Sequence, residues 1–249
     1  MAATTRQTVN VPGRGKFGKT SADLPPPSQR NGSSFCQELF DDNTSVEIRN
    51  AVLKTKFFQD MVKGTLDPTS YGGYMVQDAA YCFNAVEAYD FAAQQMQGTD
   101  PRFSLLYRVH SESYKNYNQD FVKQWRLKNS ESVEMGPAAG MYVGFESNVS
   151  RKDPKFLSIA MLPCSMLWPW VANQLIEQVQ PDNPYYFWFE ENKPEPGHKS
   201  TLEQFVDSFF KEEDKAQSLP IFHEGLANEL NFFRDACGEP LYYSKTVCI

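Results

Sequence analysis

One long stretch of helical periodicity constrains the fold of this chain more than any other feature. It reads GTLDPTSYGGYMVQDAAYCFNAVEAYDFAAQQM, residues 64–96. Gly64 is suited to end one helix, Asp67 can cap the next, and Pro68 stands at its first position. The residues that recur at helical spacing on one face are Tyr71, Tyr74, Asp78, Tyr81 and Ala85. The sequence therefore predicts a long helix with one buried face.

The same helical character continues to about residue 236, with further helices predicted at 101–128, from residue 137, and at 155–179, 200–215 and 219–236. The helix at 155–179 is apolar nearly all round, so it should lie deep, and Pro163 and Pro169 should bend it. Alternation typical of strands is confined to the tail LYYSKTVCI. The prediction is an all-α bundle of about seven or eight helices. Three parts are expected: a flexible N-terminal arm (1–34), a helical domain (35–236) and a C-terminal tail (237–249).

Two local expectations concern how the helices pack. Gly72 and Gly73 interrupt the first turns of the long helix, which indicates a close backbone approach there. The helix at 101–128 is amphipathic, and its inward residues are expected to be Leu105, Leu106, Val109, Tyr117, Phe121 and Trp125.

The segment GRGKFGKT, residues 13–20, fits the phosphate-binding pattern G-x-x-x-x-G-K-[ST]. A working phosphate loop needs a buried strand before it and a helix after it. Here TVNVP precedes Gly13 and SADLPPPSQRNG follows Thr20, and neither context fits. The segment is interpreted as part of a basic arm. A nucleotide-hydrolysing protein remains an alternative, in which replacement of Lys19 would abolish nucleotide binding.

Composition limits the classes of partner. The net charge of −7 argues against a general binder of nucleic acid or anionic membranes. The sequence has no run of about 20 apolar residues and no apolar core near its start, so neither a membrane span nor a secretory signal is predicted. The five cysteines are scattered and never form C-x-x-C, which indicates thiols in a reducing compartment. The predicted location is the cytoplasm.

Three reactive groups stand in apolar surroundings on separate predicted helices. Asp78 lies among apolar residues, where a carboxylate must be hydrogen-bonded. Cys164 lies in MLPCSMLW, and Glu229 lies in GLANELNFF with aromatic residues three and four positions later. A carboxyl group shielded by aromatic rings suits proton transfer near neutral pH. Taken singly, Cys164 could be a small core residue, Asp78 a bridge between helices and Glu229 a solvent-facing residue.

The motifs around these groups resemble those of the TenA family (thiaminase II, aminopyrimidine aminohydrolase). FFQDMVKGTLDPTSYGGYMVQDAAY is similar to the opening of that family, where a G-T-L turn leads into a Tyr-rich helix ending in Q-D-x-x-Y. Gln77, Asp78 and Tyr81 match that ending. PAAGMYVGFES resembles the family's P-x-A-Y-x-Y segment and places Tyr142 on its binding tyrosine.

Two later segments extend the resemblance. MLPCSMLW resembles the family's L-L-P-C segment and places Cys164 on the nucleophile. NELNFF resembles the closing Y-E-x-x-F-W segment and places Glu229 on the catalytic acid and Phe232 on the phenylalanine that packs on the substrate ring. Order and approximate spacing agree over about residues 35–236. The resemblance implies a haem-oxygenase-like α-bundle and a homotetramer.

The resemblance also implies a mechanism for hydrolysis of an aminopyrimidine, in thiamin breakdown or salvage. The ring would stack among Tyr81, Tyr142 and Phe232. Asp78 would accept hydrogen bonds from the ring's amino group. The Cys164 thiolate would add to the electron-poor ring, and Glu229 would transfer protons. No metal or other cofactor is implied.

The sequence departs from the family where a further pocket tyrosine is usual, because Glu191, Asn192 and Lys193 stand near that position. This change suggests a different substrate, or a small-molecule binding protein that no longer turns its ligand over. The ligand would then be a flat heterocycle. A haem or diiron protein is a further alternative on the same fold, but the only histidines are His110, His198 and His223.

Overall fold

The computed structural model describes residues 34–125, 133–195 and 197–243. The GRGKFGKT segment, the predicted arm up to residue 33 and the tail from residue 244 lie outside these residues. The described chain forms ten α-helices and no strand. They are α1 (Phe35–Phe40), α2 (Asn43–Leu53), α3 (Lys56–Lys63), α4 (Pro68–Met96), α5 (Pro101–Trp125), α6 (Pro137–Lys152), α7 (Leu157–Leu175), α8 (Tyr186–Asn192), α9 (Thr201–Phe209) and α10 (Lys215–Asp235).

The all-α prediction is confirmed. The helices outnumber the seven or eight expected because three of them, α1, α3 and α8, have only six to eight residues. Helices this short leave little periodicity in a sequence window.

The turn between α3 and α4 follows the expected local chemistry. Gly64 ends α3 in the left-handed conformation, at φ 70°. The side chain of Asp67 accepts a hydrogen bond from the backbone N–H of Thr69 at 2.8 Å, and Pro68 begins α4. These signals fix the start of the helix that carries Asp78 and Tyr81.

Helix α7 runs through the core, and almost all of its side chains are buried. The segment Pro154–Gln178 around it is long and apolar enough to cross a membrane, yet 83% of its most apolar window is buried inside the bundle. Burial of this kind is typical of the core helix of a soluble protein. Both Pro163 and Pro169 lie inside the helix.

Helices α7 and α10 approach each other closely at Gly225. A Cβ atom at this position would lie 2.7 Å from Cγ of Pro163 and 3.1 Å from the carbonyl oxygen of Ala160. Only glycine fits here without moving one helix. The contact lies next to Cys164 on one helix and one turn before Glu229 on the other.

Three local expectations are wrong in whole or in part. Among the residues that the structure describes, none lies within 4 Å of a Cβ atom placed at Gly72 or Gly73, so the expected close backbone approach is not seen there. In α5, Leu105 is 54% exposed and Val109 is 36% exposed, whereas Phe121 is buried and Leu106 and Tyr117 pack against the core as expected. The side chain of Trp125 lies outside the described residues, and the buried face runs through residues 103, 107, 110, 114 and 121. The last helix begins at Lys215 rather than near Leu219 and continues through Pro220.

Candidate functional site

The face of α4 that was expected to carry Asp78 is buried as predicted. Tyr74, Asp78 and Tyr81 follow one another at intervals of four and three residues, and each is at most 3% exposed. The carboxylate of Asp78 accepts a hydrogen bond at Oδ2 from the Tyr117 hydroxyl of α5, at 2.9 Å. The buried carboxylate is therefore hydrogen-bonded, as its environment requires.

Glu229 of α10 is held by side chains from two other helices. Its Oε1 accepts a hydrogen bond from the hydroxyl of Tyr142 on α6 at 3.0 Å. Its Oε2 accepts one from the indole N–H of Trp168 on α7 at 2.9 Å. Glu229 is only 1% exposed. Donors to both oxygens fix the orientation of the carboxyl group and leave it little rotational freedom.

Aromatic rings connect Glu229 to the face of α4. The ring centroids of Tyr81 and Tyr142 are 4.8 Å apart, and those of Tyr81 and Phe232 are 6.0 Å apart. Phe232 also lies 6.1 Å from Tyr74. Four residues that the sequence analysis selected thus form one contact cluster: Tyr81, Tyr142, Glu229 and Phe232.

Cys164 lines a cleft of about 880 Å³ and is 7% exposed. The same cleft is bounded by Trp168, one helical turn later on α7, and by the segment 190–195 at and beyond the end of α8. The segment that was expected to replace a pocket tyrosine, Glu191 to Lys193, therefore faces the same cleft as the thiol. Within the described part of the chain, neither Asp78 nor Glu229 lines it.

Trp168 connects these two parts of the site. It borders the Cys164 cleft, and its indole N–H binds Glu229. Its ring also contacts Tyr74 at 6.1 Å and Trp188 at 5.8 Å. The sequence analysis did not select this tryptophan, although its spacing of four residues from Cys164 would have placed the two on one face.

Comparison with known proteins decides the family. The model of the TENA/THI-4/PQQC family matches residues 47–218, which is more than half of the chain. The chain belongs to this family. No curated protein was found to match the sequence.

Solved structures of similar proteins agree with the fold. A TenA homologue from P. horikoshii has 17% identity and a TM-score of 0.64 over 82% of this chain and 98% of its own. A TenA homologue from Pyrococcus furiosus has 16% identity and a TM-score of 0.62 over 80% and 98%. A candidate TenA-like thiaminase from Sulfolobus solfataricus has 18% identity and a TM-score of 0.54 over 85% and 100%. The haem-oxygenase-like helical fold is confirmed.

This TENA/THI-4/PQQC family member contains, besides Asp78 and Glu229, a further buried carboxylate that the sequence analysis missed. Glu146 of α6 is 0% exposed and accepts hydrogen bonds from Tyr81 at 2.8 Å and from Tyr89 at 3.2 Å. Burial, followed by the charge of Glu146, raises the pKa of both tyrosines well above the usual range. Its position four residues after Tyr142 was the available signal, because both lie on one helical face.

The hydroxyl of Tyr81 is therefore engaged by Glu146, so the ring is the part of Tyr81 that can contact a ligand. The Tyr81–Tyr142 pair is also too close to admit a third ring between its members. An inserted ring would need a separation of roughly 7 Å, since each face contact takes about 3.5 Å. A substrate that stacks against these rings therefore has to lie beside the Tyr81–Tyr142 pair rather than between its two members.

His110 lies next to the Glu146 cluster, which consists of Glu146, its donors Tyr81 and Tyr89, and Tyr114, to which Tyr89 is hydrogen-bonded. It is buried on α5, with ring centroids 5.7 Å from Tyr89 and 6.0 Å from Tyr114. Burial lowers its pKa to about 3, so it is neutral near pH 7. Among the described residues, no three histidine, cysteine, aspartate or glutamate side chains are close enough together to hold a metal ion.

Proposed function

We propose that this protein hydrolyses aminopyrimidine compounds, in thiamin breakdown or salvage, with Cys164 as nucleophile and Glu229 as proton shuttle. Membership of the TENA/THI-4/PQQC family supports the proposal. The observation that carries it is the connection through Trp168. Trp168 donates a hydrogen bond to the Glu229 carboxylate, and it also borders the cleft lined by Cys164, which lies one turn earlier on α7. One side chain thus contacts both the proposed acid and the cleft of the proposed nucleophile.

Substrate binding would use the cluster on α4, α6 and α10. The pyrimidine would pack beside the Tyr81–Tyr142 pair and against Phe232, and Asp78 would accept hydrogen bonds from the ring's amino group. Tyr117 would hold the Asp78 carboxylate in place for this contact, through its 2.9 Å hydrogen bond. Hydrogen bonds to a fixed carboxylate orient the ring before reaction.

Bond formation would begin at the thiol. The Cys164 thiolate would form a C–S bond to an electron-poor ring carbon, and the displaced electron pair would move onto the ring nitrogen. The exocyclic bond would then break, and the leaving group would depart with that bond's electrons, as neutral ammonia when the substrate carries a protonated amine. Water would add at the exocyclic carbon and give a proton to the Glu229 carboxylate. Loss of the thiolate would restore the ring, so the net reaction is hydrolysis.

The proposed cofactor requirement, partner, location and oligomeric state follow from the same function and family resemblance. Hydrolysis of this kind needs no redox cofactor or metal, so the proposal includes none. The partner is a small flat heterocycle, with no nucleic acid or membrane involved. The protein is proposed to act in the cytoplasm as a homo-oligomer, a homotetramer by resemblance to its family.

The test is release of hydroxymethyl-pyrimidine from aminomethyl-pyrimidine and from thiamin. Wild type is compared with Cys164→Ser and with Cys237→Ser. Cys237 is half-buried beyond the end of α10, which makes it a matched control outside the cleft. Turnover that survives in Cys237→Ser and is lost in Cys164→Ser supports the hydrolase. Turnover that also survives in Cys164→Ser rejects the nucleophile.

Absence of turnover on both compounds would favour the alternative, a binding protein or an enzyme for another substrate on the same scaffold. The segment Glu191 to Lys193 motivates this alternative, because it borders the cleft of Cys164. A binding protein would keep a small molecule through purification, and mass spectrometry of the denatured protein would identify it. Its affinity would be indifferent to Cys164→Ser apart from packing.

A further inference from the structure

The hydroxyl group of Tyr71, in the first turn of α4, has no explanation in the fold. The oxygen atom is buried, and it has no hydrogen-bond partner among the residues that the structure describes. A buried hydroxyl without a partner destabilises the fold, because the hydrogen bonds it made to water in the unfolded chain are not replaced. Such groups in native structures are rare and often mark a site where something else binds.

The position of Tyr71 places it beside the candidate site. It precedes Tyr74 by three residues and Asp78 by seven, so the three share one face of α4. Three rings surround it, with centroids 6.2 Å away for Tyr74, 5.4 Å for Tyr185 and 6.1 Å for Phe187. These contacts hold the ring in place, so the hydroxyl cannot turn out to solvent without breaking them.

Two carboxylates act on this hydroxyl. Its pKa is raised mainly by burial, and then by the negative charges of Glu191 and, after Tyr185, of Asp78. Glu191 lines the cleft of Cys164 one helical turn after Phe187, whose ring contacts Tyr71, and Asp78 lies on the same face of α4 as Tyr71. The ring of Tyr71 is therefore packed between α4, which carries the proposed ring-binding carboxylate, and α8, which ends at the cleft of the proposed nucleophile.

We propose that the Tyr71 hydroxyl binds the substrate directly and, with Asp78 and Glu191, selects substrates that carry a protonated primary amine. This inference rests on the proposed function and identifies which aminopyrimidine it acts on. A phenol oxygen and two carboxylates offer acceptors to an ammonium group, which has three N–H donors. The thiazolium of thiamin is also cationic, but it has no N–H group to donate.

The experiment measures binding in a background of Cys164→Ser, so that the ligands are not consumed. Calorimetry gives the affinities for aminomethyl-pyrimidine and for hydroxymethyl-pyrimidine, with and without the additional change Tyr71→Phe. Tyr186→Phe is the matched control, because it removes a tyrosine hydroxyl that already has a partner within the protein, the Glu190 carboxylate at 3.0 Å. Thermal unfolding is measured on the same proteins without ligand.

Tyr71→Phe is expected to weaken binding of aminomethyl-pyrimidine about tenfold, and binding of hydroxymethyl-pyrimidine less than threefold. The same change should raise Tm by about 2–4 °C, because it removes a buried hydroxyl that lacks a partner. Tyr186→Phe should alter neither affinity. Weaker binding together with higher stability is the combination that a purely structural tyrosine would not give.

Three results would overturn the inference, and they separate it from the proposed function. If the proteins with and without Tyr71→Phe bind aminomethyl-pyrimidine equally well, the role of Tyr71 is rejected, while the proposed hydrolase function is not affected. A lower Tm in Tyr71→Phe would mean that the hydroxyl has a structural partner, which rejects the inference too. No binding of either pyrimidine, before Tyr71 is changed, would reject the proposed function and this inference with it.

Discussion

Glu229 and Glu146 are buried carboxylates in one bundle, and each accepts a hydrogen bond from one member of the Tyr81–Tyr142 pair. Glu229 has a second donor, Trp168, that reaches the cleft of Cys164. Glu146 has Tyr89 as its second donor, and the ring of Tyr89 contacts the buried rings of Tyr114 and His110.

The difference lies in what each carboxylate can reach. Glu229 is one side chain away from a cleft where a ligand can enter, which supports its proposed role in proton transfer. Glu146 is 0% exposed and enclosed by tyrosines, so its effect is confined to the positions of those side chains. Burial alone therefore does not mark a catalytic acid. The path from the carboxylate to the nearest cleft has to be included.

The largest expected effect concerns turnover. Glu229→Gln should lower kcat about a thousandfold, because the amide cannot transfer the protons that the reaction needs. Glu146→Gln should cost less than about tenfold, since its amide oxygen still accepts from Tyr81. Steady-state kinetics with aminomethyl-pyrimidine measures both. Losses of equal size would show that the two carboxylates do not differ in the way described.

The next effect concerns stability. Glu146→Ala should lower the free energy of unfolding by about 3 kcal/mol, because two buried tyrosine hydroxyls lose their acceptor and a cavity is left. Urea denaturation measures the change. Glu87→Ala is the control, since its side chain is 81% exposed and pairs only with Arg151 on the surface. A loss below about 1 kcal/mol in Glu146→Ala would mean that the enclosed cluster contributes little.

The smallest effect is a dependence of stability on pH. His110 has a folded pKa of about 3 and an ordinary unfolded pKa near 6.5, so the unfolded chain binds a proton first as the pH falls. This contribution to stability is complete above about pH 6.5 and is lost progressively toward pH 3. Between pH 7 and pH 5, it should fall by about 2 kcal/mol.

Urea denaturation of wild type and His110→Gln at both pH values isolates this contribution, because glutamine does not titrate. On going from pH 7 to pH 5, wild type should lose about 2 kcal/mol more unfolding free energy than His110→Gln does. An unchanged difference would mean that His110 is solvated when the protein is folded. The Glu146 cluster would then be open to water, and the contrast with Glu229 would disappear.

Local signals in the sequence predicted the fold well. Gly64, Asp67 and Pro68 specify their conformations through their own backbone chemistry, so the boundary of α3 and α4 could be located without tertiary information. The buried face of α5 could not. Apolar Leu105 and Val109 are exposed, while His110 and Ser111 are buried, because His110 packs against the buried ring of Tyr89 and Ser111 donates a hydrogen bond to Asp90, both on α4.

The candidate site was likewise predictable from the sequence only in part. The resemblance to the TenA family selected Tyr81, Tyr142, Glu229 and Phe232, and the structure brings these four into contact. The sequence could not assign the hydrogen bonds. Whether Tyr81 donates to a ligand or to Glu146 depends on the packing of α4 against α6, which no local sequence pattern specifies.

The contact at Gly225 has a consequence for sequence variation. A library randomised at this codon should yield active clones with glycine almost alone, because even alanine would push against Pro163 and the Ala160 carbonyl. Variation at Pro163 should be tolerated only toward smaller side chains. A relative with a larger residue at position 225 should therefore also carry a residue smaller than proline at position 163, so the two positions should covary in that direction.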